Sequence, residues 1–150
     1  MIFSIFLVDL SIVCPTTAIT TTVTSSSLPA QCSSYTSIDD ETRSPYYTGA
    51  TSCDDPLFST TPAWIRFGGS GGAILASCPI DGTICGADAP GWYSGIYPAL
   101  AGYTTSGYVC FSFNSDYCYW SYLILVTNCN GFYVYYLKAP PACDLRHCTI

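Results

Sequence analysis

Tyr117-Cys-Tyr-Trp-Ser-Tyr-Leu-Ile-Leu-Val-Thr-Asn128 runs into Cys129-Asn130-Gly131 and then into Phe132-Tyr-Val-Tyr-Tyr-Leu137. The first run is rich in aromatic and β-branched residues, which suit a half-buried pleated surface. Asn-Gly is the dipeptide that best tolerates positive φ in a two-residue turn, so the chain reverses there and pairs with itself. Pro140-Pro141 stops the returning strand. The apolar centre, residues 119–127, has nine residues between two cysteines. A bilayer requires about 20, so a buried strand is expected there and no membrane span.

Working outward, Trp64-Ile-Arg-Phe67, Ala73-Ile-Leu-Ala-Ser-Cys78 and Gly107-Tyr-Val-Cys-Phe-Ser-Phe113 read as further strands. No segment keeps a 3.6-residue period, so any helix is short. Gly68-Gly-Ser-Gly-Gly72 lacks the Lys-Ser or Lys-Thr and the helix that a phosphate loop needs, and reads as a turn. The expected fold is all-β with small α content: disulfide-stapled antiparallel sheets in a single small extracellular domain.

The extracellular setting follows from sulfur. Nine of the ten cysteines lie between Cys32 and Cys148, with no C-x-x-C pair of the kind used for zinc or redox chemistry. Widely spread cysteines in a small chain form disulfides, and these persist in oxidising compartments. Charged residues are 9% of the chain, and the basic ones are Arg43, Arg66, Lys138 and Arg146. Four scattered cations cannot track a phosphate backbone, which excludes nucleic acid, nor can they hold an anionic membrane surface.

Residues 1–18 read as a secretory signal: an apolar run from Met1, interrupted by Asp9 and not preceded by a cation, ends near Thr16-Thr-Ala18. Residues 19–31 form a Thr/Ser-rich linker with little to pack, open to O-linked sugars. Residues 32–150 hold the cysteine-rich domain.

No catalytic constellation emerges. Asp81-Gly-Thr83 has no second copy to supply a paired carboxylate, and Glu41 is the one Glu where glycosidase chemistry needs two facing carboxylates. Asp39, Asp40, Asp54 and Asp55 could gather around Ca²⁺, but loose acidic pairs are usually solvated turn residues, and such a site needs six or more oxygens. His147 sits beside Cys148, whose thiol in an oxidising compartment is expected in a bridge rather than as a nucleophile. No enzyme, cofactor or metal is therefore expected. No N-x-Ser/Thr sequon occurs either, since Asn114, Asn128 and Asn130 all fail the rule.

Several strings carry a resemblance: Cys32-Ser-Ser-Tyr35, Ile38-Asp-Asp40, Arg43-Ser44, Cys53-Asp54, Trp64-Ile-Arg-Phe67, Cys85-Gly86, Ala89-Pro-Gly-Trp92, Tyr97-Pro98, Gly131-Phe-Tyr-Val-Tyr135, Pro140-Pro-Ala-Cys143 and Arg146-His-Cys148. Cys32 to Cys148 resembles, in register, the eight-to-ten-cysteine domain of uromodulin and the zymogen-granule membrane glycoprotein. That resemblance implies bridges Cys32–Cys129, Cys53–Cys143, Cys85–Cys148 and Cys110–Cys118. Ten-cysteine relatives carry an adjacent Cys-Cys before the Trp, where Tyr117-Cys118 stands here. Cys78 is then an unpaired or variable thiol: buried and inert as the leading option, paired with Cys14, joined to another chain, or exchanged into Cys78–Cys118 with Cys110 freed. The family's glycan acceptor position reads Ser94-Gly-Ile-Tyr-Pro98, so no glycan is expected there, and a free-standing secreted domain is.

The functional expectation is a secreted, non-catalytic recognition module with an unknown protein or glycan ligand, existing as a monomer or a disulfide-linked dimer. Candidate binding aromatics are Trp92, Tyr93, Tyr97 and Tyr103, because aromatic side chains give large contact area at low entropic cost, and some of the four must belong to the core. The alternative is an extracellular structural or matrix protein, for which an unpaired cysteine offers one means of linkage.

Overall fold

The computed structural model describes residues 27–150. The signal at 1–18, the linker as far as residue 26 and the option of Cys14 as a partner lie outside the described residues. Seven strands follow in chain order: β1 Thr36–Asp39, β2 Ala63–Gly68, β3 Ala89–Tyr93, β4 Thr104–Phe113, β5 Asp116–Asn128, β6 Tyr133–Leu137 and β7 Leu145–His147. Three single 3-10 turns, Ala30–Cys32, Glu41–Arg43 and Gly69–Gly71, are the helical content of the described residues.

All seven strands join in one sheet, ordered β1-β2-β6-β5-β4-β3-β7. Its centre is antiparallel, and the two edge pairs, β1 with β2 and β3 with β7, are parallel. The β5–β6 turn places Asn130 and Gly131 at φ 59° and 113°, and the Cys129 amide donates to Phe132 O at 2.8 Å. The β4–β5 turn is built the same way on Asn114 and Ser115, at φ 51° and 64°. Neither residue is glycine, so the sequence does not advertise that turn. The Ala73–Cys78 run forms a single bridge, Leu75 to Thr149, rather than a strand. Its amides go to unlike partners, Ala73 to Ile150 O, Leu75 to the Tyr135 hydroxyl and Ala76 to Cys148 O, so no ladder propagates.

Alternation decides which face is buried. Ile65 and Phe67, Val109 and Phe111, Ile124 and Val126, and Tyr135 and Leu137 all point to one face and are buried there with Phe58, Leu75, Tyr93 and Leu145. The opposite face is covered in two places: over β3 and β4, where Cys110 is buried and its register partner Trp92 packs against Ala76, Cys85 and Cys148, and at the far end of β5 and β6. Thr127 and Val134, register partners on that face, are buried. Gln31 donates to Thr127 Oγ1 at 3.1 Å, Tyr35 packs edge-on against Phe132, and Cys32 is bonded to Cys129.

The other described bridges are Cys53–Cys143, Cys85–Cys148 and Cys110–Cys118. Among the described residues no cysteine is free. Cys78 is disulfide-bonded, which corrects its leading reading as a buried inert thiol; that reading followed from Tyr117 standing where ten-cysteine relatives carry a further cysteine, which leaves an odd count from Cys32 onward.

Cys32–Cys129 closes a separation of 97 residues, and long loops gain most from closure, with typical contributions of about 2–5 kcal/mol. Replacing both cysteines with Ser is expected to cost an amount in that range and to uncover Thr127 and Val134. Denaturant titration measures the first, and amide hydrogen exchange at β5 and β6 reads the second. Unchanged exchange there would show that the bridge does not hold the N-terminal segment in place.

Candidate functional site

In a chain with few charges, four of them meet in the interior. The Arg43 guanidinium grips both Asp54 oxygens, at 2.7 and 3.0 Å. Asp54 Oδ2 also lies 2.6 Å from His147 Nδ1 and accepts the His147 amide at 2.9 Å. On the far side of the ring, His147 Nε2 lies 2.7 Å from the Tyr122 hydroxyl, which donates to Lys138 O at 3.1 Å. Arg146 pairs with Asp40 and donates to Cys85 O at 3.1 Å. Burial alone would raise the Asp54 carboxyl, but His147 and Arg43 outweigh it and hold the group well below the usual carboxylate range. Burial first, and then the charge of Asp54, push the Tyr122 hydroxyl far above the usual phenol range.

A histidine between a carboxylate and a phenol has the connectivity of a proton relay. Here it is sealed. Asp54 and His147 are 0% exposed, and the rings of Phe58, Phe67 and Phe111 pack edge-on or tilted against the imidazole. Cys148, next to His147, is bonded to Cys85 and is no nucleophile. The cluster does structural work instead. Along the outer edge of β7, Asp54 N–H donates to Leu145 O, Asp54 Oδ2 accepts from His147 N–H, Arg43 Nη1 donates to His147 O, and Arg43 O accepts from Thr149 N–H. Two residues thus supply the ladder that an eighth strand would, which removes an open edge.

The acidic residues disperse. A groove of about 420 Å³ is lined by Asp39, Asp40, Glu41, Thr42, Gly69 and Ser70. Asp40 in it already accepts from Thr42 and pairs with Arg146. Asp54 lies in the buried cluster and Asp55 on the surface, so the four aspartates weighed for calcium do not assemble. Cys53, Cys143 and Asp144 approach one another, but both sulfurs are in the bridge.

The candidate aromatics divide as well. Tyr93 is fully buried, which corrects its reading as a binding residue. Its ring lies against Gly95 and Gly107, where an added Cβ would come within 2.3 and 2.6 Å of it; two glycines on separate segments make its seat. Tyr97 is half-buried, donates to Leu75 O at 2.8 Å and packs against Tyr93 and Tyr133. Trp92 is half-buried, with its indole N–H donating to Tyr117 O at 2.7 Å. Of the four, Tyr103 is open to solvent, at 62% exposure. Sequence reasoning passed over Tyr108, Tyr117, Tyr119 and Leu123 of β4 and β5, all about half exposed. Their signal was strand alternation once Val109, Phe111, Ile124 and Val126 were taken as the inner set.

A family model for the uromodulin-like cysteine-rich domain matches residues 65–149. The chain is 34% identical over 121 residues to the human pancreatic secretory granule membrane major glycoprotein GP2, covering 79% of this chain and 22% of that protein. It is 35% identical over 119 residues to mouse uromodulin, covering 79% of this chain and 18% of that protein. The GP2 of dog is 34% identical over 120 residues, with 79% and 23% covered. The chain therefore spans about a fifth of the length of these curated relatives.

Because the Asp54 carboxyl is held low in the fold, its contribution to stability is complete above the unfolded value of about 3.9 and is lost as pH falls below it. Asp54→Asn is expected to destabilise by about 3–5 kcal/mol, since it strands Arg43 without its carboxylate. Thermal unfolding across pH checks both statements: the parent should show a steep acid limb that the variant lacks. Identical acid limbs would remove Asp54 as the controlling group.

Proposed function

The chain belongs to the uromodulin-like cysteine-rich domain family, and on that premise we propose that it is a secreted, non-catalytic recognition module held in shape by disulfides. The observation that carries this reading is the division of its side chains. The groups able to do acid–base chemistry, His147 and Asp54, are sealed inside. The large groups standing out from β4 and β5 are tyrosines and a leucine, set among Thr104, Ser106, Asp116 and Ser121 on a crosslinked sheet. Exposed aromatic and aliphatic side chains on a rigid support favour contact over chemistry, because little freedom is lost on binding.

Four described disulfides support an oxidising location. So does the name of the human relative, which carries both "secretory granule" and "glycoprotein". Among the described residues no helix is long and apolar enough to cross a membrane. The ligand class is protein or glycan. An extracellular structural or matrix protein is the second reading; linkage through an unpaired cysteine was one form of it, and the described cysteines are all bonded.

Peptide and glycan arrays probed with oxidised, folded protein test the reading. A ligand retained by the folded protein and lost by the reduced, alkylated protein is the expected outcome. Equal retention by both forms, or turnover of any array member, would overturn it.

A further inference from the structure

Tyr119, Ser121 and Leu123 alternate onto the outer face of β5, and Tyr108 of β4 stands directly opposite Leu123. Tyr119 and Tyr108 are each 53% exposed, and Leu123 is 56% exposed. The next register row, Leu125, Tyr136 and Trp64, continues the stripe across β5, β6 and β2, with the Tyr136 and Trp64 rings 5.1 Å apart. The water-facing side of an antiparallel sheet is ordinarily polar. Exposed apolar side chains gathered on it, with Ser121 between Tyr119 and Leu123 and Ser106 opposite Leu125, mark a surface able to take another molecule.

Charge tells which kind of molecule. The net charge is −6, and the exposed surface carries it, because the interior cluster withdraws two arginines together with Asp54 and Asp40 and leaves the other carboxylates outside. Arg43 and Arg146 are buried in the interior cluster, and the Arg66 guanidinium lies 4.0 Å above the Phe132 ring. Lys138 is the one exposed cation among the described residues. Against it stand exposed carboxylates that include Asp39, Glu41, Asp55, Asp81, Asp88 and Asp116. Asp116 opens β5 at the same end as Tyr117 and Tyr119. An anionic partner meets repulsion here, a neutral one gains nothing from the field, and a cationic one is steered in. Tyrosine faces also hold arginine and lysine through the ring quadrupole, a contact the fold already makes internally with Arg66 over Phe132 and Tyr35.

We propose that the outer face of β4 and β5, from Asp116 and Tyr119 to Leu123 and Tyr108, docks an extended basic polypeptide. The proposal rests on the recognition-module reading and names its surface and partner class. At about 3.3 Å per residue, Tyr119 and Leu123 lie about 13 Å apart, room for a segment of about four extended residues to lay alternate side chains on the stripe.

The test uses folded protein and synthetic peptides of matched length in which arginine replaces glutamine step by step, with neutral oligosaccharides and anionic phospholipid vesicles as competing probes. Affinity should rise with each arginine and fall with added salt. It should drop about tenfold or more in Tyr108→Ser/Leu123→Ser, whose unchanged melting temperature shows an intact fold, and more modestly in Asp116→Asn, which keeps the oxygen that accepts the Cys118 amide. Tyr119→Ser provides a second, independent loss if the double variant folds poorly. Indifference to arginine content, preference for the oligosaccharides or vesicles, or full binding by folded face variants overturns the proposal. Peptide held on another face removes this surface and leaves the recognition reading standing; silence from every probe counts against both.

Discussion

The Asp54 carboxylate is the point at which three distant stretches of chain are made to agree. It is bonded to Arg43 from the 3-10 turn before it and to both the backbone and the ring of His147 in β7. A buried ion pair is weak evidence of net stability, because desolvation offsets much of the Coulombic gain. Its value here is positional. β7 has only three residues and would end the sheet with an unpaired edge; Arg43 and Asp54 fill that edge with bonds of the right spacing. Two disulfides bracket the same point, since Cys53 precedes Asp54 and is bonded to Cys143, while Cys148 follows His147 and is bonded to Cys85. The crosslinks thus hold together the elements whose charges must stay paired.

This arrangement explains how a chain so poor in charge comes to bury several of its charges. A hydrophobic replacement of the same volume could fill the space but could not donate to His147 O or accept from its amide. The interior polar groups are there because backbone groups of a short edge strand need partners, and the aromatic rings around His147 keep water from competing for them. The same closure separates the cluster's relay-like geometry from solvent.

The sequence was legible where a local rule governs. Asn130-Gly131 shows its turn because a residue pair alone satisfies two positive φ values, and the flanking runs show their strands by composition. Asn114-Ser115 reaches the same geometry with residues that only tolerate it, so the sequence shows β4 and β5 as strands without showing that they pair across this turn. β7 was hidden because Leu145-Arg146-His147 reads as a polar segment; its burial depends on Asp54 and Asp40, which lie about ninety and a hundred residues away. Tyr93 was misplaced for a related reason. A tyrosine beside a tryptophan looks like a surface aromatic until Gly95 and Gly107 are seen to leave room for its ring. Local propensity is printed in the chain; the space that glycines on other segments leave around a side chain is not.

The two faces of the sheet divide the work. One carries the apolar core and the charge cluster. The other is covered at the Thr127–Val134 end by the segment around Cys32, fastened through Cys129, and is open from Leu125 to Tyr119. The described residues place no further layer over that stretch, and its polar members there are the uncharged Ser106 and Ser121. Tyrosine suits such a face: its ring packs against a cross-strand neighbour while its hydroxyl stays in water. An open face built this way keeps hydroxyls in water above apolar rings, and the Cys110–Cys118 bridge crosslinks the β4–β5 hairpin that carries it.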